Sequence, residues 1–298
     1  MRYTRLLAEL RREDAGEFGG KSANLGDMLA AAIPVPNGFA VSAAAYGDAI
    51  SDELRGELAA RYEELGAPPV AVRSSAPGED SAEATQAGQQ ESYLWVHGID
   101  ALCDAVRKCW ASLYTDRAVA YRANLHIAEK AMGVTVQQMV DAEVAGVLFT
   151  CNPVSGDPSM VAVNASWGLG LAVVGGEATP DDWLVSKVTG EIVRRTIGSK
   201  EIEYVREGDG TVRRDVPADR RDLPSLEDEQ LAALVEIARR IERHFGGHQD
   251  VEWAIERGSG ALHVLQARPV TALKAAPAVS ASALSLVMGT FGANAEQS

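Results

Sequence analysis

The residues best equipped for chemistry in this 298-residue sequence lie near its end. Gln249-Asp-Val-Glu-Trp-Ala-Ile255 and Ala261-Leu-His-Val-Leu-Gln-Ala-Arg-Pro-Val-Thr271 are two runs rich in Val, Ile, Leu and Trp, and the short stretch between them holds Gly258 and Gly260. That pattern predicts a β-hairpin. With its turn centred near Ser259, Glu252 faces Gln266 across the ladder and Asp250 faces Arg268, so a carboxylate, an amide and a guanidinium converge. Glu252 and Gln266 offer hard oxygen ligands to Mg²⁺, which keeps several waters and takes the rest of its shell from phosphate oxygens. Arg268 is then placed to neutralise charge on a migrating phosphoryl group. An edge hairpin with a merely solvated polar side shows the same alternation, so the rest of the chain has to decide.

Other stretches could complete such a site. Gly19-Gly-Lys21-Ser-Ala-Asn-Leu-Gly-Asp-Met28 sets a glycine pair and a lysine at the start of a short apolar helix. A cation there opposes the helix dipole, and an anion sitting at the same place would account for it. This is no P-loop, because Ala15 stands where the first glycine of that motif belongs. A plain surface helix start is the alternative. Val70-Ala-Val-Arg73-Ser-Ser reads as a strand that delivers Arg73 at its end. Gly88, Gln89, Gln90 and Ser92 then lie in a segment of small and hydrogen-bonding residues, suited to closing over a polyphosphate through backbone N–H groups, or to a bare exposed connection. Gln138, Met139 and Val140 end a strand over 134–140, where backbone polar groups can read an adenine edge between apolar walls. A core strand with no ligand would read alike.

Composition narrows the class. The chain is 46% hydrophobic, enough for one large or two ordinary domains. Its formal charge of −14 argues against a nucleic-acid surface, which needs clustered Lys and Arg. An anionic ligand must therefore be held locally, which gives weight to Lys21, Arg73, Arg117, Arg122 and Arg268. The cysteines Cys103, Cys109 and Cys151 form no CxxC pair and point to a reducing cytoplasm. The start MRYTRLLAELRRED has no apolar signal region. The uncharged runs 158–176 and 275–295 are too rich in small residues for a membrane span.

The elements that must position these groups follow from periodicity. Helices are expected over 43–65, 99–131 and 226–245, the last strongly amphipathic and leading into the terminal hairpin. Strands are expected over 134–140, 145–150 and 160–164, with a hairpin of 183–187 and 191–196 around Thr189-Gly190. A loop is expected from Trp167 to Gly176. No internal repeat is evident.

Taken together and in order, GGKSANLGDM, VPNGFAVS, AVRSSAPGED, AGQQES, SLYTDRAVAYR, VQQMV, AGVLFTCNPVSGD, ASWGLG, QDVEWAI and LQARPVT resemble the nucleotide-binding domain of the phosphoenolpyruvate synthase and pyruvate phosphate dikinase family, which includes the rifampicin phosphotransferases. The resemblance runs from about Glu13 to Thr271. It implies an α+β, ATP-grasp fold of two subdomains, 1–138 and 139–272, with the nucleotide site between them and an Ala/Ser-rich tail or linker over 273–298. It also implies cleavage of ATP to AMP, the β,γ-pyrophosphoryl unit going first to a histidine on a swivelling domain. Carried over by residue, Lys21 and Arg73 grip phosphates and Gly88 to Ser92 cover them. Gln138, Met139 and Val140 line the adenine pocket, Glu252 and Gln266 hold Mg²⁺, and Arg268, with Lys21, serves the transfer. The family's Gly-Leu-Gly-Glu reads Gly168-Leu-Gly-Leu171 here, so one carboxylate is missing. None of the five histidines has the Gly- and Ser/Thr-rich setting of the phosphorylated one. The expectation is a donor that needs a histidine-bearing phosphocarrier domain or subunit, with a small molecule as final acceptor. A stand-alone small-molecule kinase and a non-catalytic ATP-binding regulatory module are the alternatives, and Leu171 favours the latter.

Overall fold

The computed structural model describes residues 2–47, 49–76, 92–114 and 131–270. Valine-rich, β-branched runs build two antiparallel sheets. The first contains β1 (Thr4–Leu6), β2 (Gly38–Val41), β3 (Val70–Ser75), β4 (Ser92–Val96) and β5 (Gly133–Gln138), in the spatial order β1-β2-β5-β3-β4. The second contains β6 (Ala142–Phe149), β7 (Met160–Trp167), β8 (Asp181–Ser186) and β9 (Ile192–Thr196). After the separate hairpin of β10 (Ile202–Glu207) and β11 (Gly210–Asp215), it is completed by β12 (Gln249–Glu256) and β13 (Leu262–Pro269). Its order is β13-β12-β6-β7-β8-β9. The architecture is α+β, the two-sheet arrangement expected of an ATP-grasp fold.

The helices are α1 (Ala15–Phe18), α2 (Gly20–Ala30), α3 (Asp52–Glu64), α4 (Ile99–Ala111), α5 (Leu171–Val174), α6 (Ala218–Arg221) and α7 (Asp228–Phe245). The apolar stripe of α7, with Leu234, Ala238 and Ile241, packs on Leu148, Val163, Trp183 and Trp253 of the second sheet. Residues from the start of the chain, among them Leu7, Phe18, Leu25 and Met28, join this same cluster. A second cluster packs α3 and α4 on the first sheet through Leu54, Leu58, Val106 and Trp110 against Phe39, Val72 and Val136. A small third one, with Trp95 and Val140 beside Ala145, Leu169 and Ala254, spans the two sheets. The Trp95 Nε1–H also donates to Thr211 Oγ1 of β11 at 3.0 Å, and Arg206 of β10 lies over its ring.

Gly19, two residues before Lys21, is a packing requirement. Gly19 has φ +83°, and a Cβ on it would sit 2.0 Å from the Ser75 carbonyl oxygen. With no side chain there, α2 presses its first turn onto the end of β3. The Gly20 N–H donates to the Ala76 carbonyl at 3.0 Å, the Ser22 N–H to Ser75 Oγ at 3.2 Å, and the Ser22 and Thr135 hydroxyls meet at 2.7 Å. This approach is what drives Lys21 inward.

Three expectations shift. The helix over 43–65 divides into a short 3-10 turn at Ala43–Ala45 and α3, because the Ser51 side chain accepts the Leu54 N–H and caps a fresh start. The helix from Ile99 ends at Ala111 and continues as a 3-10 turn, Ser112–Tyr114. Residues beyond it, Arg117 and Arg122 included, lie outside the described ones. Between Trp167 and Gly176 the chain is not all loop but turns once as α5. The β10–β11 hairpin was not anticipated, although Gly208-Asp209-Gly210 carries a turn signal. Among the described residues no helix is long and apolar enough to cross a membrane.

One carboxylate anchors the start of the chain. Glu57 on α3 accepts the backbone N–H groups of Arg2, Tyr3 and Thr4 at 2.6, 2.9 and 3.0 Å, and the Thr4 hydroxyl at 3.0 Å. Burial alone would push this carboxyl up, but the four donors together hold it below its ordinary value. Because the folded-state pKa is lowered, the stabilisation is present above the unfolded carboxylate pKa and is lost as pH falls through the lowered one. Glu57→Gln is expected to cost about 1–2 kcal/mol at neutral pH. Urea melts of both proteins between pH 7 and 3 should show that difference shrinking in acid, and a pH-independent difference would rule out the charged anchor.

Candidate nucleotide site

The terminal hairpin has the pairing expected at its polar residues. Glu252 pairs with Gln266 and Asp250 with Arg268, and the register then slips, so that Trp253 pairs with Val264. Leu265 is the extra residue of this bulge and is left out of the ladder pairing. Its side chain turns to the cluster that spans the sheets. The Arg268 guanidinium donates through Nε and Nη2 to one Asp250 carboxylate oxygen, at 2.9 and 2.8 Å. Burial pushes the Asp250 carboxyl up, Arg268 opposes that, and the neighbouring Glu252 adds to it. Arg268 is thus oriented by its partner at the strand end, just before Pro269.

Arg73 reaches this hairpin from the other sheet. It sits in β3 between Thr135 and Ser92. Its Nη1–H donates to the Leu265 carbonyl at 3.4 Å, and Nη2 lies 3.8 Å from Glu252 Oε2. Its Nε is buried and, among the described residues, has no hydrogen-bond partner. Lys21 lies alongside, only 3% exposed, with Nζ donating at 3.0 Å to the carbonyl of Ser74, the residue after Arg73. The surface-helix alternative for Lys21 fails on this burial. Two cations, a carboxylate and an amide are therefore gathered where the sheets meet.

The strand end at 138–140 is more selective than its sequence suggested. The Gln138 N–H donates to Asn37 O at 2.8 Å and the Met139 N–H to Pro69 O at 3.0 Å, so both donors are committed to the protein. Val140 is in the apolar cluster, with Met139 and Leu265 at its margin. Its N–H is the one of the three left for a ligand among the described residues. Apolar walls with one convergent polar group suit a flat heteroaromatic ring.

A model of the pyruvate phosphate dikinase AMP/ATP-binding domain matches residues 15–55 and 47–285. The chain belongs to this family. Among its relatives are a probable phosphoenolpyruvate synthase of Methanothermobacter thermautotrophicus, 39% identical over 92% of this chain and 46% of that one, and the phosphoenolpyruvate synthase of Pyrococcus furiosus, 35% identical over 92% and 44%. A rifampicin phosphotransferase of a Streptomyces species is 37% identical over 92% of this chain and 37% of its own. The chain thus spans less than half the length of these relatives.

As a dikinase AMP/ATP-binding domain, the chain has residues that fit a nucleotide. The buried, unpartnered Arg73 Nε is a donor awaiting an acceptor, and the Val140 N–H is another. Glu252 and Gln266 also fit a Mg²⁺ ion that arrives on phosphates. Among the described residues no group of three or more His, Cys, Asp or Glu could hold a metal, so phosphate oxygens would have to complete its shell. Ser92 opens β4 opposite Arg73 and lines a groove of about 540 Å³ with Leu94, Lys108, Thr211 and Leu171. Leu171 is 40% exposed there. Gly88, Gln89 and Gln90 lie outside the described residues. What the sequence reading missed is the Leu265 carbonyl. Its signal was the parity slip between inward Val264 and inward Ala267, three residues apart where a regular strand would give an even number.

Proposed function

We propose that the chain binds Mg²⁺·ATP between its two sheets and transfers the β,γ-pyrophosphoryl group to a histidine on a separate domain or subunit, from which a small molecule finally receives phosphate. The observation that carries this reading is Arg73 of the first sheet, reaching the Glu252–Gln266 pair of the second with a buried N–H unspent. Residues 1–138 and 139–272 would be the halves that close on the nucleotide.

In this mechanism Val140 and the apolar cluster seat the adenine, while Lys21 and Arg73 hold the phosphates. Glu252 and Gln266 hold the metal, which supplies charge neutralisation on the phosphate oxygens when bound. Arg268, kept in orientation by Asp250, stabilises charge on the transferring group. The attacking imidazole nitrogen forms its bond to the β-phosphorus as the bond from that phosphorus to the α,β-bridging oxygen breaks, and AMP leaves with that oxygen. Phosphoryl transfer depends mainly on such positioning and neutralisation.

Glu252→Ala tests the reading. Calorimetric titration with ATP at several Mg²⁺ concentrations should show tight, Mg²⁺-dependent binding in the parent. The variant should lose most of that dependence and about tenfold or more in affinity at saturating metal, as expected when a charged ligand is removed. Wild-type Mg²⁺ dependence in Glu252→Ala would take the metal away from the hairpin.

A further inference from the structure

Glu252 is faced by a positive charge before any ligand arrives. The Arg73 guanidinium lies 3.8 Å from its Oε2, and the other carboxylate on this strand face, Asp250, is already given to Arg268 at 2.8–2.9 Å. A lone divalent cation approaching Glu252 therefore meets two arginines and no uncommitted carboxylate pair. The hold on Arg73 is loose, however. Its contacts, at 3.4 and 3.8 Å, are long for a guanidinium, and its buried Nε donates to no described residue. A polyphosphate offers several anionic oxygens in the forked geometry that arginine prefers, so it outcompetes one distant carboxylate and one carbonyl.

We infer that the Arg73–Glu252 pair is a latch between the sheets that keeps the metal ligand shut until nucleotide phosphates draw the guanidinium off it, so that Mg²⁺ enters with the nucleotide and not ahead of it. This rests on the nucleotide-binding reading above and adds an order to it. The latch is local: the sheets stay joined through the apolar cluster that spans them. Opening it exposes Glu252 and Gln266 together, since they are cross-strand partners.

The test uses Mn²⁺ alone as the probe, followed by the electron paramagnetic resonance signal of the free ion in the absence of nucleotide. The parent protein is expected to bind it weakly, and Arg73→Gln, which removes the opposing charge, about tenfold more tightly. Adding Glu252→Gln to that variant should erase the gain. Arg73→Lys, which keeps the charge on a shorter and unforked side chain, should show a smaller gain and serves as the second variant if Arg73→Gln does not fold, as judged by thermal melts. No gain in either variant overturns the latch. A parallel titration of the parent with Mn²⁺ and α,β-methylene-ATP separates the two ideas. Binding of that analogue without a gain in the variants sinks only the latch, whereas failure to bind it sinks the nucleotide reading as well.

Discussion

Replacing Arg268 by alanine is expected to leave Mg²⁺·ATP affinity near the parent value and to lower turnover by about 10²–10³-fold, the loss seen when a single transition-state donor is removed. The side chain is about one-third exposed, belongs to the last residue but one of β13, and is oriented by two hydrogen bonds to one oxygen of Asp250. In the proposed site, ground-state binding would fall chiefly to Lys21, Arg73, Glu252 and Gln266. The readout is AMP release in the presence of a histidine-bearing partner. Asp250→Asn separates chemistry from positioning: it keeps the guanidinium but weakens its orientation, and should lose less turnover than Arg268→Ala. Parent-like turnover in Arg268→Ala would reduce the hairpin to a binding element.

The largest loss of stability is expected far from this chemistry, at Asp181. Asp181 and Lys200 are both fully buried. One Asp181 oxygen accepts Lys200 Nζ at 2.5 Å and the Gly198 N–H at 2.8 Å, while the other accepts the Ser225 N–H and hydroxyl, both at 2.7 Å. Lys200 Nζ also donates to the Gly198 carbonyl at 2.8 Å. The pair thus ties the start of β8, the connection after β9 and the approach to α7. Removing one partner strands a buried charge, so Asp181→Ala should cost about 3–5 kcal/mol. Lys200→Met should cost a similar amount, because four acceptor positions on Asp181 would lose their only cation. A double variant with apolar residues at both positions should recover much of the loss. Urea midpoints at constant slope measure all three, and single-variant losses below about 1 kcal/mol would mean that water reaches the pair.

The hairpin was legible because two alternating runs flank a glycine-containing turn near Ser259, which sets Glu252 and Gln266 opposite each other to within one residue. The bulge completes it: the pairs nearest the turn, from Ile255–Leu262 to Trp253–Val264, would set Glu252 opposite Leu265, and the extra residue Leu265 shifts the ladder by one to bring Gln266 there. Lys21 and Arg73 were legible as isolated cations in an acidic chain, but not their depth. Burial of Lys21 depends on Gly19 letting a helix touch the end of β3, a long-range contact that local spacing does not encode. The adenine-side assignment was only partly legible. Which N–H of 138–140 remains open is decided by Asn37, about 100 residues before Gln138, and Pro69, about 70 residues before Met139, partners that the local pattern of β5 does not show. The β10–β11 hairpin escaped because its strands are largely polar, as befits two strands outside both sheets.

The apolar cluster beneath the second sheet includes Leu7, Leu25 and Met28 from the first 40 residues as well as Val264 and Ala267 from the last strand. The Val264 N–H even donates to the Pro34 carbonyl at 2.8 Å. The chain's beginning is therefore the lining of its end. During synthesis the early segment cannot complete its packing until β13 has emerged, because part of its apolar surface lies against that strand. Such long-range closure makes for slow folding and exposed intermediates, and it sets a limit on dissection: a fragment beginning after β5 would carry the β12–β13 hairpin but lack part of the apolar surface on which that hairpin rests.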